Sequence, residues 1–144
     1  MVYQQIRDVL TEARSQAYQA VNSAMVQAYW NIGRIIIEEE QHGELRAEYG
    51  ERLISDLSKK LAVEFGRGFD KRNLWFMRSF YMCYPKMNAL RSELSWTHYR
   101  LLLRVEQPDV RQFYMEECIA GRWSTRQLER QICSFYYERL LASR

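Results

Sequence analysis

Phe65-Gly-Arg-Gly-Phe-Asp-Lys-Arg-Asn-Leu-Trp-Phe-Met-Arg-Ser-Phe-Tyr81 is the stretch on which the fold turns. Glycines on either side of Arg67 supply the positive φ of a helix C-cap and a sharp turn. Asp70 stands where an N-cap belongs and opens a helix over 71–84. The inward stripe of that helix reads Leu74, Met77, Tyr81 and Tyr84. Arg72, Trp75, Ser79 and Cys83 point the other way, with Phe76 between. Just upstream, Tyr49, Leu53, Leu57, Leu61 and Phe65 recur every four residues beside Ile54 and Ala62, which predicts a helix over 46–64. A helix, a glycine turn and a second helix with basic first turns make the pattern of a helix-turn-helix. Trp75 and Phe76 are expected to dock this second helix against the C-terminal one rather than to stack on bases.

Toward the N-terminus, residues 2–41 contain no Pro and one Gly, Gly33. Ile6, Leu10, Ala13, Ala17, Ala20 and Ala24 follow a heptad seam, and Ala28, Ile32 and Ile35 continue the helical spacing. One continuous helix of that length spans roughly 60 Å at 1.5 Å per residue. Its alanine seam needs a partner, either another helix of the chain or a second copy. Gly33 marks either a close approach or a bend. Glu38-Glu-Glu40 reads as a solvated last turn, and Gln41-His-Gly43 as the stop.

Toward the C-terminus, 86–94 reads as a linker. Ser95 caps a helix over 96–105 whose apolar side is Tyr99, Leu102 and Leu103 with Trp96. Pro108 starts a helix over 108–120 that Gly121 ends. Ser124-Thr-Arg-Gln127 has the spacing of a capping box and opens a last helix over 125–141, burying Leu128, Ile132 and Phe135. The expectation is an all-α protein. A long helical arm over 1–43 precedes a helix-turn-helix-like bundle of about five further helices over 44–144. The stop at Ala142-Ser-Arg144, with no cap, is what a piece of a longer protein would show.

Charge is unevenly spread. The net charge is +3 over 144 residues, but residues 1–51 carry −4 and residues 52–144 carry +7. Residues 66–104 hold eight basic side chains against Asp70 and Glu93. An acidic arm on a basic body suggests a polyanion partner for the body; on charge alone a solvated surface that happens to be basic is the other reading. Three widely spaced cysteines without a CxxC pair fit reduced thiols and a cytoplasmic setting. His42 and His98 lie in unrelated segments, and no phosphate loop, nucleophile elbow or zinc-helix motif occurs. No catalytic residue and no metal ligand is assigned to this chain, and no small-molecule substrate or membrane is expected.

Six blocks follow one another in order. They are Tyr29-Trp-Asn-Ile-Gly-Arg34, Tyr49-Gly-Glu-Arg-Leu53, Phe65-Gly-Arg-Gly-Phe69, Asn73-Leu-Trp-Phe-Met-Arg78 with Phe80-Tyr81, Leu94-Ser-Trp-Thr-His-Tyr99 and Trp123-Ser-Thr-Arg-Gln-Leu-Glu-Arg-Gln-Ile132. Over about residues 15–144 they resemble the N-terminal domain of the bacterial YhcG-type proteins, a domain of unknown function. Asp70 stands where that pattern leads one to expect Ser, and both residues cap helices. The resemblance implies a following PD-(D/E)XK nuclease domain, a metal-dependent endonuclease overall, with Mg2+ belonging to that other domain and no cofactor here. It assigns no functional residue in this part.

The site residues therefore come from pattern. Phosphates are expected to meet Arg67, Lys71, Arg72 and Arg78, with Arg100, Arg104, Arg126 and Arg130 as a second set. Asn73 is the candidate for reading adenine and Arg72 for reading guanine. The rival expectation is an oligomerisation module without DNA contact, which pairs through the first helix. A weaker third is an RNA-binding helical domain.

Overall fold

The computed structural model describes residues 1–42 and 47–143. The expected stop at Gly43 lies outside them. Among the described residues there are seven α-helices and no strand. They are α1 (Val2–His42), α2 (Ala47–Phe65), α3 (Lys71–Cys83), α4 (Trp96–Leu102), α5 (Pro108–Gly121), α6 (Thr125–Cys133) and α7 (Tyr136–Ala142). The all-α expectation holds, with one helix more than the sequence pattern gave.

The extra helix comes from a break in the last one. Phe135 has φ 58°, in the left-handed region, and α6 ends before it. This turns α7 back so that the Tyr137 amide donates to the Tyr114 hydroxyl at 3.1 Å. Phe135 is 63% exposed rather than buried.

Local caps account for the other starts. The Asp70 carboxylate accepts from the Asn73 amide at 2.8 Å. Ser95 with His98 and Ser124 with Gln127 form reciprocal capping boxes. Pro108 opens α5, where its missing N–H costs nothing. The left-handed residue closing α5 is Arg122 at φ 51°, one position beyond the expected Gly121.

The helix α1 is continuous, and Gly33 is a place of close approach. A Cβ there would stand 2.0 Å from the Met77 carbonyl oxygen, so α3 lies against the α1 backbone. The Trp30 indole N–H donates to the Tyr84 carbonyl at 2.6 Å and fixes the far end of α3. Val26, Trp30 and Ile36 of α1 are buried. Residues 2–21 of the same helix are exposed, the alanines of the seam among them, and Gln19 borders a cleft with Leu94 and Ile119.

Two apolar clusters form the core. The larger joins Val26, Trp30, Phe80 and Tyr84 to Tyr99, Leu102, Tyr114, Met115 and Leu128. The smaller joins Ile36, Ile54, Leu74 and Met77. Trp96 packs against both, its ring 5.0 Å from Tyr29 and 5.2 Å from Phe80. Phe80 lies off the predicted stripe yet is fully buried, because α1 and α4 cover α3 from two sides. On α2 the buried centre is Ile54, while Phe65 at the end of its stripe is exposed.

Candidate nucleic-acid interface

The turn between α2 and α3 is built as the glycines predict. Gly66 and Gly68 have φ of 78° and 106°. Nothing lies within 4 Å of a Cβ added at either, so these glycines serve the backbone conformation and not a close approach. Arg67, Lys71 and Arg72 are exposed on and beside this turn.

The helix α3 then carries Phe76 to a cleft shared with α4 and α6. The cleft encloses about 190 Å3 and is lined by Phe76, Thr97, Arg100, Arg104, Arg126 and Glu129 among others. The guanidinium carbon of Arg100 lies 4.8 Å from the centre of the Phe76 ring, and that of Arg72 lies 5.6 Å from it. Each is within cation–π range, which holds the two planar groups beside one aromatic surface. The Arg100 Nε is buried and has no hydrogen-bond partner among the described residues. A buried donor of this kind is costly unless an acceptor meets it. Arg104 contacts Glu129 at 3.4 Å in an exposed pair, so one acidic group offsets part of the charge. Arg126 is exposed at the first turn of α6, and Arg130 lies one turn farther on. Arg72 and Arg100 thus flank Phe76, and Arg104, just past α4, and Arg126 of α6 line the same cleft.

Arg67, Lys71 and Arg130 lie outside the cleft, and two further members of the expected set are bound within the protein. Arg78 is turned away to Glu40, which it grips with Nε at 2.8 Å and Nη2 at 2.9 Å. Its guanidinium also lies 5.2 Å from the Trp75 ring centre. Asn73 has both ends of its amide engaged. Its Nδ2 donates to the Gly68 carbonyl at 2.6 Å, and its Oδ1 accepts from the Trp96 indole at 3.3 Å. Each end keeps one further donor or acceptor, but the two bonds fix the amide against the turn and α4, so it is oriented first by the protein. The docking expectation splits likewise. Phe76 packs toward α4 and α6, whereas Trp75 lies exposed beneath Arg78.

Some of the partners left no trace in the sequence pattern. The run read as a solvated last turn has a partner for each carboxylate. Glu38 pairs with Arg34, Glu39 accepts from the Tyr49 hydroxyl, and Glu40 holds Arg78. Tyr49 has its hydroxyl pKa raised by that bond to Glu39. Gly50 leaves the space, since a Cβ there would stand 3.2 Å from Glu40 Oε1. Arg111 is buried and donates to the Val105 and Glu106 carbonyls at 3.0 and 3.1 Å, which removes it from the surface charge. The Arg72–Phe76 pair was visible as an i, i+4 spacing; Arg104–Glu129 was not.

Among the described residues no three His, Cys, Asp or Glu side chains gather to hold a metal ion. No described helix is long and apolar enough to cross a membrane.

Comparison with known proteins bears on this arrangement. The family model described as the DUF1016 N-terminal domain matches residues 5–139. The chain is 37% identical over 177 aligned residues to the protein named "Putative nuclease YhcG" from Escherichia coli (strain K12). That alignment takes in 98% of this chain and 47% of the relative, so the chain spans about half of the relative's length. No solved structure matches. With a family match over nearly its whole length, the chain belongs to the DUF1016 N-terminal domain family.

Proposed function

We propose that this chain is the DNA-docking module of a nuclease-family protein. It grips the phosphate backbone in the cleft between α3, α4 and α6. The observation that carries the reading is the placing of Arg72 and Arg100 on Phe76 beside a cleft that Arg104 and Arg126 also line. Guanidinium groups suit phosphate because they are planar, permanently charged and offer paired donors. Arg67 and Lys71 extend the cationic surface along the turn, and Arg130 extends it along α6. With Asn73 and Arg78 engaged internally, the interface offers backbone contacts and few base readers, so binding is indifferent to sequence.

The relative's name supplies the substrate class, since a nuclease acts on nucleic acid. Cleavage, and any divalent metal it uses, is assigned to the other half of such a protein and to no residue here. The working place of the module is the cytoplasm, where DNA is met.

Titration of a fluorescent duplex tests the proposal. Binding should weaken steeply with salt, and the log–log slope should shrink by about one for each of Arg100→Ala and Arg126→Ala. No binding at low salt, or a fourfold Arg72, Arg100, Arg104 and Arg126 to Ala variant that binds as well as wild type, overturns it. A single-stranded RNA competitor that displaces the duplex preferentially would move the reading to RNA. The bare first half of α1 favours a second reading, an assembly module. Under that reading the fourfold variant changes nothing.

A further inference from the structure

The first five turns of α1 carry large apolar side chains with nothing upon them. Tyr3 is 77% exposed, Ile6 55%, Val9 67% and Leu10 54%. Farther along, Ala13, Ala17 and Ala20 continue the seam and are exposed as well. Burial within the chain begins only near Asn22, and Val26 is the first buried residue. A solitary helix of this length is marginal in water, so its order calls for a covering surface. The seven-residue spacing restricts that surface. A straight 3.6-residue helix drifts off a heptad line, and the line stays covered only against another helix that winds with it. Among the described residues, the helix left with an uncovered heptad seam is α1 itself.

We infer that two copies of the chain pair through residues 3–20 of α1, running antiparallel. Side-chain size gives the direction. The seam is large at one end (Tyr3, Ile6, Leu10) and small at the other (Ala13, Ala17, Ala20). Antiparallel pairing sets Leu10 opposite Ala13 of the second copy, Ile6 opposite Ala17 and Tyr3 opposite Ala20. Every layer then holds one large and one small side chain, and the helices run at even separation. Parallel pairing would stack tyrosine on tyrosine at one end and leave gaps between alanines at the other, which close packing disfavours. In the antiparallel register Arg7 lies near Arg14 of the second copy. That like-charge contact is exposed and screened, so it is the weaker consideration. The register ends at Ala20, where α1 reaches the body and Gln19 borders a cleft with Leu94 and Ile119. It sets the two bodies at opposite ends of the pair, with their attachment points roughly 30 Å apart at 1.5 Å per residue. This pairing does not depend on the DNA reading.

Light scattering at tens of micromolar tests the pairing. Wild type should show about twice 17.4 kDa, and Leu10→Glu should show the single-chain mass with its duplex binding per chain retained. A single-chain mass for wild type, or an unchanged mass for Leu10→Glu, overturns the inference. Direction is read by oxidation in a background with Cys83 and Cys133 changed to Ser and the buried Cys118 kept. Ile6→Cys combined with Ala17→Cys should cross-link into a covalent dimer, while Ile6→Cys alone should not. A cross-link from Ile6→Cys alone would establish the parallel arrangement and overturn the antiparallel one.

Discussion

Arg78 of α3 and Glu40 of α1 meet as a two-point pair, Nε to Oε1 at 2.8 Å and Nη2 to Oε2 at 2.9 Å. The side chains are 25% and 17% exposed, so water screens the pair only in part. Breaking a partly buried pair from one side leaves the other charge stranded, and this costs more than the pair itself is worth. Arg78→Ala and Glu40→Ala should each lower stability by roughly 1–3 kcal/mol in urea melts. The double variant should lose less than the sum, which a double-mutant cycle would register. Because Arg78 is committed to Glu40, Arg78→Ala should leave the salt slope of duplex binding unchanged, unlike Arg100→Ala. A slope that falls by about one would place Arg78 back on the phosphates.

Asn73 offers a sharper contrast between what its residue type offers and what its surroundings allow. Its amide braces the glycine turn through Gly68 and holds the Trp96 indole. Asn73→Ala should therefore cost roughly 1–2 kcal/mol of stability, for the loss of one exposed and one part-buried hydrogen bond. Titrations on two duplexes of unrelated sequence should show equal, small changes. A loss confined to one sequence would restore Asn73 as a base reader.

What could be read from the sequence was mostly what neighbours in the chain decide. Asp70, Ser95, Pro108 and Ser124 mark helix starts because a cap acts within three residues. The α2–α3 turn was legible because two glycines have few other uses there. The break at Phe135 was not, since nothing in Cys133-Ser-Phe135 forbids helix; α7 turns back where Tyr137 finds Tyr114. The candidate site divides in the same way. Its arginines were visible as a concentration of charge. Which of them stay free was decided by Glu40 and Glu129, which lie 38 and 25 residues from the arginines they meet and leave no period in the sequence.

Alkali should unfold this protein through its buried tyrosines. The Tyr99 hydroxyl accepts from the Arg91 amide at 2.7 Å, and burial pushes its pKa up to about 12. Burial raises Tyr84 and Tyr114 too. The fold thus favours the protonated phenol. The contribution is complete below about pH 10, where the unfolded chain also keeps its protons, and is lost as pH rises toward 12. Stability measured by urea melts should be flat near neutrality and fall by about 1.4 kcal/mol per pH unit per tyrosine above pH 10. Tyr99→Phe should begin less stable at pH 7, having lost its bond to Arg91, yet fall less steeply in alkali. An unchanged slope would mean that Tyr99 does not drive the transition.

Gly33 is where the spine of the molecule is most sensitive to a single atom. It is buried in the middle of α1, and a Cβ there would meet the Met77 carbonyl oxygen at 2.0 Å and its carbon at 2.8 Å. Both belong to the backbone of α3, so no rotamer change can relieve the clash. In an open helix Gly→Ala would stabilise by roughly 0.5–1 kcal/mol. Here the overlap forces α3 away from α1, disturbing Leu74, Met77 and Phe80, all fully buried. Gly33→Ala should accordingly destabilise by about 3 kcal/mol, the upper end of core overpacking. Gly50→Ala, whose added Cβ would meet only the Glu40 side chain, should cost far less. Thermal melts of the two variants side by side decide the matter. If Gly33→Ala melts as high as wild type, α1 and α3 do not approach as closely as the structure has them.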